Sequence, residues 1–477
     1  KYKFGDTTIF HFINEKNSLT TSFLYRYSDE SNDTDLSFAD YNSNGNLINY
    51  TLREDLEKEG DENLEYSVNW TKKFDRKGHK LTADIQYQDN NEIEKSDIVQ
   101  SEGPNPGELV PDLFQKVRNE EGEKRLMIQS DYIQPFNEKG KIEAGFRSTF
   151  RDIKNIYTVR EQDDTGEYVP LDTFNTNFQY DENVHAVYGI VSNEYSRLSW
   201  QVGLRMEYTD INADLEESSE ELTWEYTNFF PSAFLTYKLK NENQLQLSYS
   251  RRINRPRFRE LNPFSSFTDN RNFRVGNPRL QPEFTDSYEL GYLQNMNNST
   301  IYYGVYYRYT TDLIQRVSLE PNNQGQRVRI PENIGYSRAL GIEVNASQEL
   351  TDWYRVSGNF NFYRNETVGM VGDTIDLGAE AITFTTRVSN NFTFGKVLDG
   401  QVNINYRAPQ DRPQGRRLSV TSVDLGVTRD VLSKNGTISL SVRDLFNSRK
   451  WRSITELPTF YEESTWQRRR GPQFILT

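Results

Sequence analysis

Arginine is concentrated in one short segment near the middle of the chain. The segment contains Arg251, Arg252, Arg255, Arg257 and Arg259. Guanidinium groups bind carboxylates and phosphates through paired, charge-assisted hydrogen bonds, so this cluster could hold an anionic ligand. The alternative is that these Arg pair with Asp and Glu of the chain and only hold the segment in place. The candidate ligand-binding residues are Arg251, Arg252, Arg255, Asn262 and Arg274.

Two further segments are rich in carboxylates and invite a calcium interpretation. They are Asp29, Asp33 and Asp35, and Glu54, Asp55, Glu57, Glu59, Asp61 and Glu62. Calcium prefers about six to eight oxygen ligands that converge on one point. Neither spacing ensures convergence, and no EF-hand pattern is present, so hydrated polar segments are the favoured interpretation. We predict no metal site and no cofactor.

Other kinds of chemistry have little support in the sequence. The chain has no Cys and only three scattered His, which are His11, His79 and His185. No nucleophile elbow, phosphate-binding glycine loop or zinc helix motif occurs, so we predict that the protein is not an enzyme. The net charge of -14 argues against nucleic acid as a partner, because nucleic acids select basic surfaces.

The elements that would position these residues are strands, because apolar and polar residues alternate almost everywhere. In Lys80–Gln88, Leu81, Ala83, Ile85 and Tyr87 alternate with polar residues, and Lys141–Arg151 and Trp200–Tyr208 repeat the pattern. No stretch approaches the roughly 18 apolar residues of a spanning helix. Hydrophobic residues are 35% and aromatic residues 13%, which suits strands that face lipid on one side only.

Short turns alternate with long polar segments along the chain. The short turns, rich in Asn, Gly, Lys or Asp as tight hairpins require, are Asn14–Ser18, Asp75–His79, Asn137–Lys141, Glu194–Arg197, Lys240–Asn243, Asn295–Ser299, Gln348–Trp353, Gly395–Gly400 and Ser433–Gly436. The long segments are 28–48, 90–122, 152–180, 209–226, 251–286 and 446–472. This asymmetry is typical of bacterial outer-membrane barrels, which have short periplasmic turns and long extracellular loops. The predicted fold is therefore an all-β, antiparallel transmembrane β-barrel.

The nine short turns join eighteen strands, and the segment that starts at Pro472 begins a nineteenth. Single-chain bacterial barrels usually have an even number of strands. About 22 strands is the size of plugged outer-membrane transporters. We therefore expect residues 1–477 to be one barrel domain, with about 19 of 22 strands. An N-terminal plug, the first strands and the end of the last strand would lie outside this sequence.

The central segment also carries family-like motifs. They are Ser248–Pro256, Leu261–Phe264, Gly276-Asn277-Pro278-Arg279-Leu280-Gln281-Pro282-Glu283, Ser287–Gly291, Asn333–Tyr336, Gly341–Glu343 and Arg469–Pro472. Together these resemble the barrel of TonB-dependent receptors, and in particular the outer-membrane β-barrel family common in Bacteroidetes. Pro256, Pro263, Pro278 and Pro282 cannot donate to a sheet ladder, so 251–283 is predicted to be a structured loop at the barrel mouth.

The resemblance implies a receptor of the bacterial outer membrane that imports a nutrient. The partners implied are TonB, through the missing N-terminal segment, together with membrane lipid and lipopolysaccharide. The alternative function is a structural barrel subunit of a larger secretion, motility or lipoprotein-anchoring assembly, with a surface lipoprotein as partner. A passive porin is less favoured, since porins have about 16 to 18 strands. Inward Tyr302 and Tyr306 could stack on a sugar or an aromatic siderophore, but an interfacial aromatic belt is the favoured interpretation of these tyrosines.

Overall fold

The computed structural model describes residues 2–215, 220–263, 271–322, 326–372, 375–395, 398–431, 436–467 and 471–477. Phe264, most of the predicted turn Ser433–Gly436 and the pair Arg469–Arg470 lie outside these residues. No helix in the described part of the chain is long and apolar enough to cross a membrane.

Strand is the dominant secondary structure. The strands up to the first short helix are β1 (Tyr2–Asn14), β2 (Asn17–Tyr41), β3 (Leu47–Lys73), β4 (Lys80–Gly103), β5 (Val110–Pro135), β6 (Lys141–Gln162), β7 (Tyr168–Pro170), β8 (Thr176–Tyr195), β9 (Leu198–Leu215), β10 (Glu220–Lys238) and β11 (Gln244–Asn254). Two 3-10 turns, Asp172–Phe174 and Lys240–Glu242, interrupt this series, and the four-residue helix α1 (Phe258–Leu261) follows it.

The remaining strands follow the helix. They are β12 (Asn272–Arg274), β13 (Glu283–Met296), β14 (Ser299–Ser318), β15 (Arg327–Thr351), β16 (Tyr354–Val368), β17 (Met370–Val371), β18 (Ile375–Asp376), β19 (Ala379–Phe394), β20 (Leu398–Arg407), β21 (Gln410–Arg412), β22 (Gly415–Arg417), β23 (Val420–Val431), β24 (Gly436–Arg443), β25 (Lys450–Leu457), β26 (Phe460–Gln467) and β27 (Gln473–Leu476).

Most of these strands belong to one large antiparallel sheet, which has 21 strands within the described residues. Two of the 21, β7 and β12, are three-residue segments, so nineteen strands continue the hairpin series. The register is regular: Ile85 lies opposite Val68 on β3 and Ile128 on β5. The predicted all-β, antiparallel barrel class and the nineteen strands are confirmed. The total of 22 stays a prediction.

Where the structure describes them, the predicted short turns coincide with observed hairpins, but several predicted long loops are largely strand. Strand β2 runs on to Tyr41 and β3 starts at Leu47, so 28–48 contains one tight turn. Strands β4 and β5 likewise pair as far as Glu102 and Val110. In these extensions polar residues predominate on both faces, so the regular apolar alternation that indicates a strand is lost although the hydrogen-bonded pairing continues.

The two faces of each long strand differ in character. Large apolar side chains are exposed on one face, for example Ile85 (50%), Phe146 (45%), Leu247 (53%) and Leu290 (49%). Such exposure fits a face that contacts lipid hydrocarbon. We call it the lipid face, and we call the opposite, polar face the inner face.

The chain divides into two compact units. Unit 1 comprises 1–191, 203–230 and 257–279, and unit 2 comprises 192–202, 231–256 and 280–477. In unit 1 the buried apolar residues lie between the inner face of β6 and β8 and the segment 257–279; they include Ile153, Val159, Phe178, Phe258 and Leu261. In unit 2 a separate buried cluster joins Val317, Ile334 and Leu377.

Candidate functional site

The segment 255–282, which we call the mouth loop, is a folded structure. In unit 1 its helix α1 places Phe258 on the inner-face ring of Phe178, with ring centroids 5.6 Å apart and planes 22° apart. Further along, Phe273 stacks on Phe174 at 5.4 Å. Phe258 and Phe178 are almost fully buried. Aromatic burial of this kind fixes the loop against the wall of unit 1.

A close backbone approach closes the loop on itself. The Gly276 amide donates to the Asn262 carbonyl at 3.0 Å, and the Asn277 amide donates to the Glu260 carbonyl at 2.7 Å. A Cβ atom on Gly276 would lie 2.2 Å from the Asn262 carbonyl oxygen. Only glycine fits this position without displacing the backbone.

A chain of buried amides connects the loop to the wall. The Asn262 side chain donates to Asn155 at 2.9 Å, Asn155 donates to Asn119 at 2.6 Å, and Asn119 donates to Glu94 at 2.7 Å. Asn155 and Asn262 are 1% and 4% exposed. Buried amides without partners are costly, so this chain stabilises one position of the loop.

The amide chain ends at an acidic trio formed by Glu59, Glu92 and Glu94. Their carboxylate oxygens lie within 4.8 Å of one another. The trio lies on the strand extensions beyond Tyr66 and Tyr87, where the apolar lipid face ends. Desolvation and repulsion from Glu94 raise the pKa of Glu92 to about 7, and desolvation raises the pKa of Glu59. Sequence reasoning named Glu59 but not this trio, because the pairing of β3 with β4 cannot be read from one sequence.

Ion pairs also tie the mouth loop to unit 1. Arg271 makes a two-pronged contact with Asp40 at 2.7 and 2.9 Å, and it donates to Thr51 at 3.0 Å. Next to it, the buried Arg53 donates to Gln115 at 2.8 Å, and Gln115 donates to Glu161 at 2.7 Å. Arg271, which lies outside the cluster Arg251–Arg259, therefore holds the mouth loop through its pair with Asp40.

Inward tyrosines of unit 2 lie on glycines of neighbouring strands. A Cβ on Gly341 would be 2.4 Å from the Tyr306 ring, and one on Gly291 would be 2.5 Å from the Tyr302 hydroxyl oxygen. Tyr306 is 6% exposed, and its hydroxyl donates to Asn361 at 3.0 Å. The interfacial belt interpretation is therefore wrong for Tyr302 and Tyr306, which fill space above glycines. Tyr303 and Tyr307 lie on the lipid face.

Comparison with known proteins agrees with this architecture. The profile of the outer membrane protein beta-barrel family matches residues 72–477. This chain belongs to that family. No curated protein sequence matches it.

Solved structures share the family's fold at low sequence identity. The copper transporter OprC aligns with a TM-score of 0.60 and 12% identity, over 99% of this chain and 76% of that chain. The siderophore receptor PiuA from Acinetobacter baumannii aligns with 0.54 and 12%, over 100% and 79%. The ferric citrate transporter FecA aligns with 0.52 and 11%, over 99% and 77%. The predicted likeness to TonB-dependent receptor barrels and the outer-membrane location are thus confirmed, while the tie to Bacteroidetes stays a prediction.

The family motif anchors the second end of the mouth loop in unit 2. Glu283 accepts from the Ile314 amide at 2.6 Å and from the Asn254 side chain at 2.6 Å. Asn333 accepts from the Gln281 amide at 2.7 Å, and it donates to the Gln281 and Asp312 carbonyls. Leu280 and Pro282 are buried, and Asn277 accepts from the Arg279 amide next to Pro278. These contacts give the motif Gly276, Asn277, Pro278, Leu280, Pro282 and Glu283 a role in loop structure.

The five candidate ligand-binding residues do not form one set. Arg251 lies on the lipid-face side of β11 and pairs with Asp286 at 3.1 Å, whereas Arg252 points to the opposite face. Asn262 is buried in the amide chain of unit 1, so it is not presented to a ligand. Arg274 is exposed in unit 1, and Arg255 belongs to unit 2. Strand alternation separates Arg251 from Arg252, and the loop fold buries Asn262. Ligand binding by the five candidate residues stays a prediction.

Proposed function

We propose that this chain is the barrel of an outer-membrane receptor that imports a nutrient through a TonB-dependent step. The observation that carries the proposal is the mouth loop, which is fixed to the inner face of unit 1 by aromatic stacking, buried amides and an ion pair. In the proposed receptor, a loop bound to the inner face in this way would have to move before a ligand could pass. Passage of a ligand would require displacement of the mouth loop, and TonB would supply the energy for that displacement.

The fold supports the same proposal. The aligned structures are those of a copper transporter, a siderophore receptor and a ferric citrate transporter. We extend transport to this chain as a proposal, with a TonB contact in a segment outside 1–477 and with lipopolysaccharide around the rim. No catalytic role is part of the proposal.

The test is to lock the mouth loop and measure uptake. The chain contains no Cys, so the double variant Asn155→Cys with Asn262→Cys offers one specific site for a short bifunctional thiol reagent. Growth of a deletion strain complemented with the full-length gene would be followed under nutrient limitation, in the presence and absence of TonB. We expect cross-linking of the double variant to abolish uptake and a cleavable linker to restore it.

Single-Cys variants treated with the same reagent are the matched controls, since they carry the substitutions without the cross-link. Uptake that continues with the loop locked, or in the absence of TonB, would overturn the proposal. If deletion instead causes loss of a stoichiometric surface partner without an uptake defect, the structural role of the barrel is the better explanation.

A further inference from the structure

A cleft of about 560 Å³ opens on unit 2 at the inner face of β19, β20 and β23. Its volume lies in the range of pockets that hold small molecules. The side chains that the argument uses are Asn359, Arg387, Asn405, Arg407, Asp424 and Trp451. Of the twelve residues that line this cleft, five carry amide or guanidinium groups, one carries a carboxylate, and one carries an indole ring that is 38% exposed.

The charge at the cleft is positive although the whole chain carries -14. Arg449 is neutralised by Asp424 at 3.1 Å. Arg387 and Arg407 line the cleft, and the charges of Arg412 and Arg417 act on one another and are acted on by Arg407. Among the residues that the structure describes, no carboxylate lies within ion-pair distance of these four arginines.

The backbone around Arg412 and Arg417 is held in place. These residues lie on the short hairpin of β21 and β22, whose turn residue Gln414 exchanges hydrogen bonds of 2.7 and 2.8 Å with the Ser318 backbone. Gly415 has φ +123°, and a Cβ there would meet the Ile454 carbonyl oxygen at 2.1 Å. Arg417 donates to Gln410 at 2.6 Å. The hairpin is thus fastened to β14 and β25, and it presents its arginines in a defined place.

Burial and neighbouring like charges together weaken the charged form of the two hairpin arginines. Partial desolvation and the neighbouring Arg407 lower the pKa of Arg412, and desolvation with Arg412 and Arg407 lowers the pKa of Arg417. Both residues lie on the hairpin beyond the membrane-spanning strands. The positively charged forms of these arginines are therefore unfavourable when the site is empty. An anion that binds between them would stabilise the charged forms.

We propose that the arginine cleft, which Arg387 and Arg407 line, binds a small ligand that carries two or more oxyanion groups, together with Arg412 and Arg417 of the hairpin that follows β20. Each guanidinium offers a planar pair of donors to a carboxylate or phosphate, and the amide of Asn405, which makes a 3.4 Å contact with the Ser422 hydroxyl, offers a neutral donor beside them. This inference rests on the proposed import function, because it assigns a negative charge to the ligand that would be imported.

Isothermal titration calorimetry of the full-length protein in detergent tests the cleft without requiring transport. The probes are pyrophosphate, tricarballylate and, as an uncharged comparison, sucrose. We expect at least one oxyanion to bind with an affinity that falls as salt rises, and sucrose not to compete. The double variant Arg407→Gln with Arg412→Gln should lower that affinity by about tenfold or more.

The matched control is Arg364→Gln, which removes a cation from the lipid-face side of β16 where Arg364 pairs with Glu380 at 2.7 Å. It should bind like the wild type. Tighter binding of pyrophosphate would identify the ligand groups as phosphates, and tighter binding of tricarballylate would identify them as carboxylates. The proposal is overturned if neither oxyanion binds the wild type, or if the double variant binds as tightly. A protein that binds an oxyanion but shows no uptake would contradict the import function and leave the cleft intact.

Discussion

The side chain of Asn262 in the mouth loop donates a 2.9 Å hydrogen bond to Asn155 on the wall of unit 1, and both residues are buried. Asn155 in turn donates to Asn119, and Asn119 donates to Glu94. Asn262 of the mouth loop and Glu94 of the acidic trio therefore belong to one hydrogen-bonded network. Displacement of the loop would break a buried polar contact, so it has an energetic threshold.

Removal of the central amide should loosen the mouth loop. Asn155→Ala deletes one donor and one acceptor and leaves buried partners unsatisfied, at a cost of about 1–3 kcal/mol. We expect faster tryptic cleavage at the loop arginines in outer-membrane vesicles, with the barrel still folded. Asn91→Ala is the control, since Asn91 is exposed and bonds only locally to Asp89. Equal cleavage of both variants would show that the amide chain does not hold the loop.

Arginine on the lipid face should impair assembly, whereas arginine on the inner face should not. Leu247 is 53% exposed on the apolar side of β11, and its neighbour Gln246 faces inward. Leu247→Arg should cost about 2–4 kcal/mol near the membrane midplane, and Gln246→Arg should be tolerated. The same contrast is expected between Ile85→Arg and Thr82→Arg. The folded fraction, read from heat-modified gel mobility, checks this, and equal damage in both positions would contradict the assigned faces.

Strand number, strand order and the lipid face could be predicted from the sequence because apolar alternation and turn residues are local signals. The two-residue period of apolar side chains predicts which face of the strand Leu81, Ile85 and Leu247 occupy. The extensions of β2 to β5 were missed since both of their faces are polar. The length of a strand there is decided by cross-strand pairing, for example Glu59 with Glu94, which needs the register of two strands.

The candidate site was predicted less well, for a related reason. The proline and glycine residues of 251–283 correctly indicated a structured loop, but its arginines were treated as one cluster. The three-dimensional fold sends Arg251 to one face of β11, Arg252 to the other and Arg271 to Asp40. The arginine cleft is lined by Arg387 and Arg407, which the sequence analysis did not single out. The register of β19 with β20, in which Arg387 lies opposite Asn405, brings them together, and that register cannot be read from one sequence.

The glycine of the family motif should tolerate no side chain. Gly276→Ala would place Cβ 2.2 Å from the Asn262 carbonyl oxygen, a backbone atom that cannot rotate away. We expect the loop to shift and stability to fall by about 1–3 kcal/mol. Gly189→Ala is the comparison, since nothing lies within 4 Å of the added atom. Chemical unfolding in detergent and tryptic cleavage would report the effect; identical behaviour of the two variants would remove the steric explanation.

The acidic trio should make the protein less stable as the pH rises. The folded-state pKa of Glu92 is raised from 4.5 to about 7, so between these values the folded protein holds a proton that the unfolded chain has lost. Stability therefore falls as pH rises through this window, by about 1–2 kcal/mol for this partly buried group. Glu92→Gln should flatten the dependence by removing the titrating group, and the exposed Glu54→Gln should leave it unchanged. Unfolding free energies between pH 5 and about 8 measure this. A wild-type protein that gains stability over the range relative to Glu92→Gln would show that the trio does not repel in the folded state.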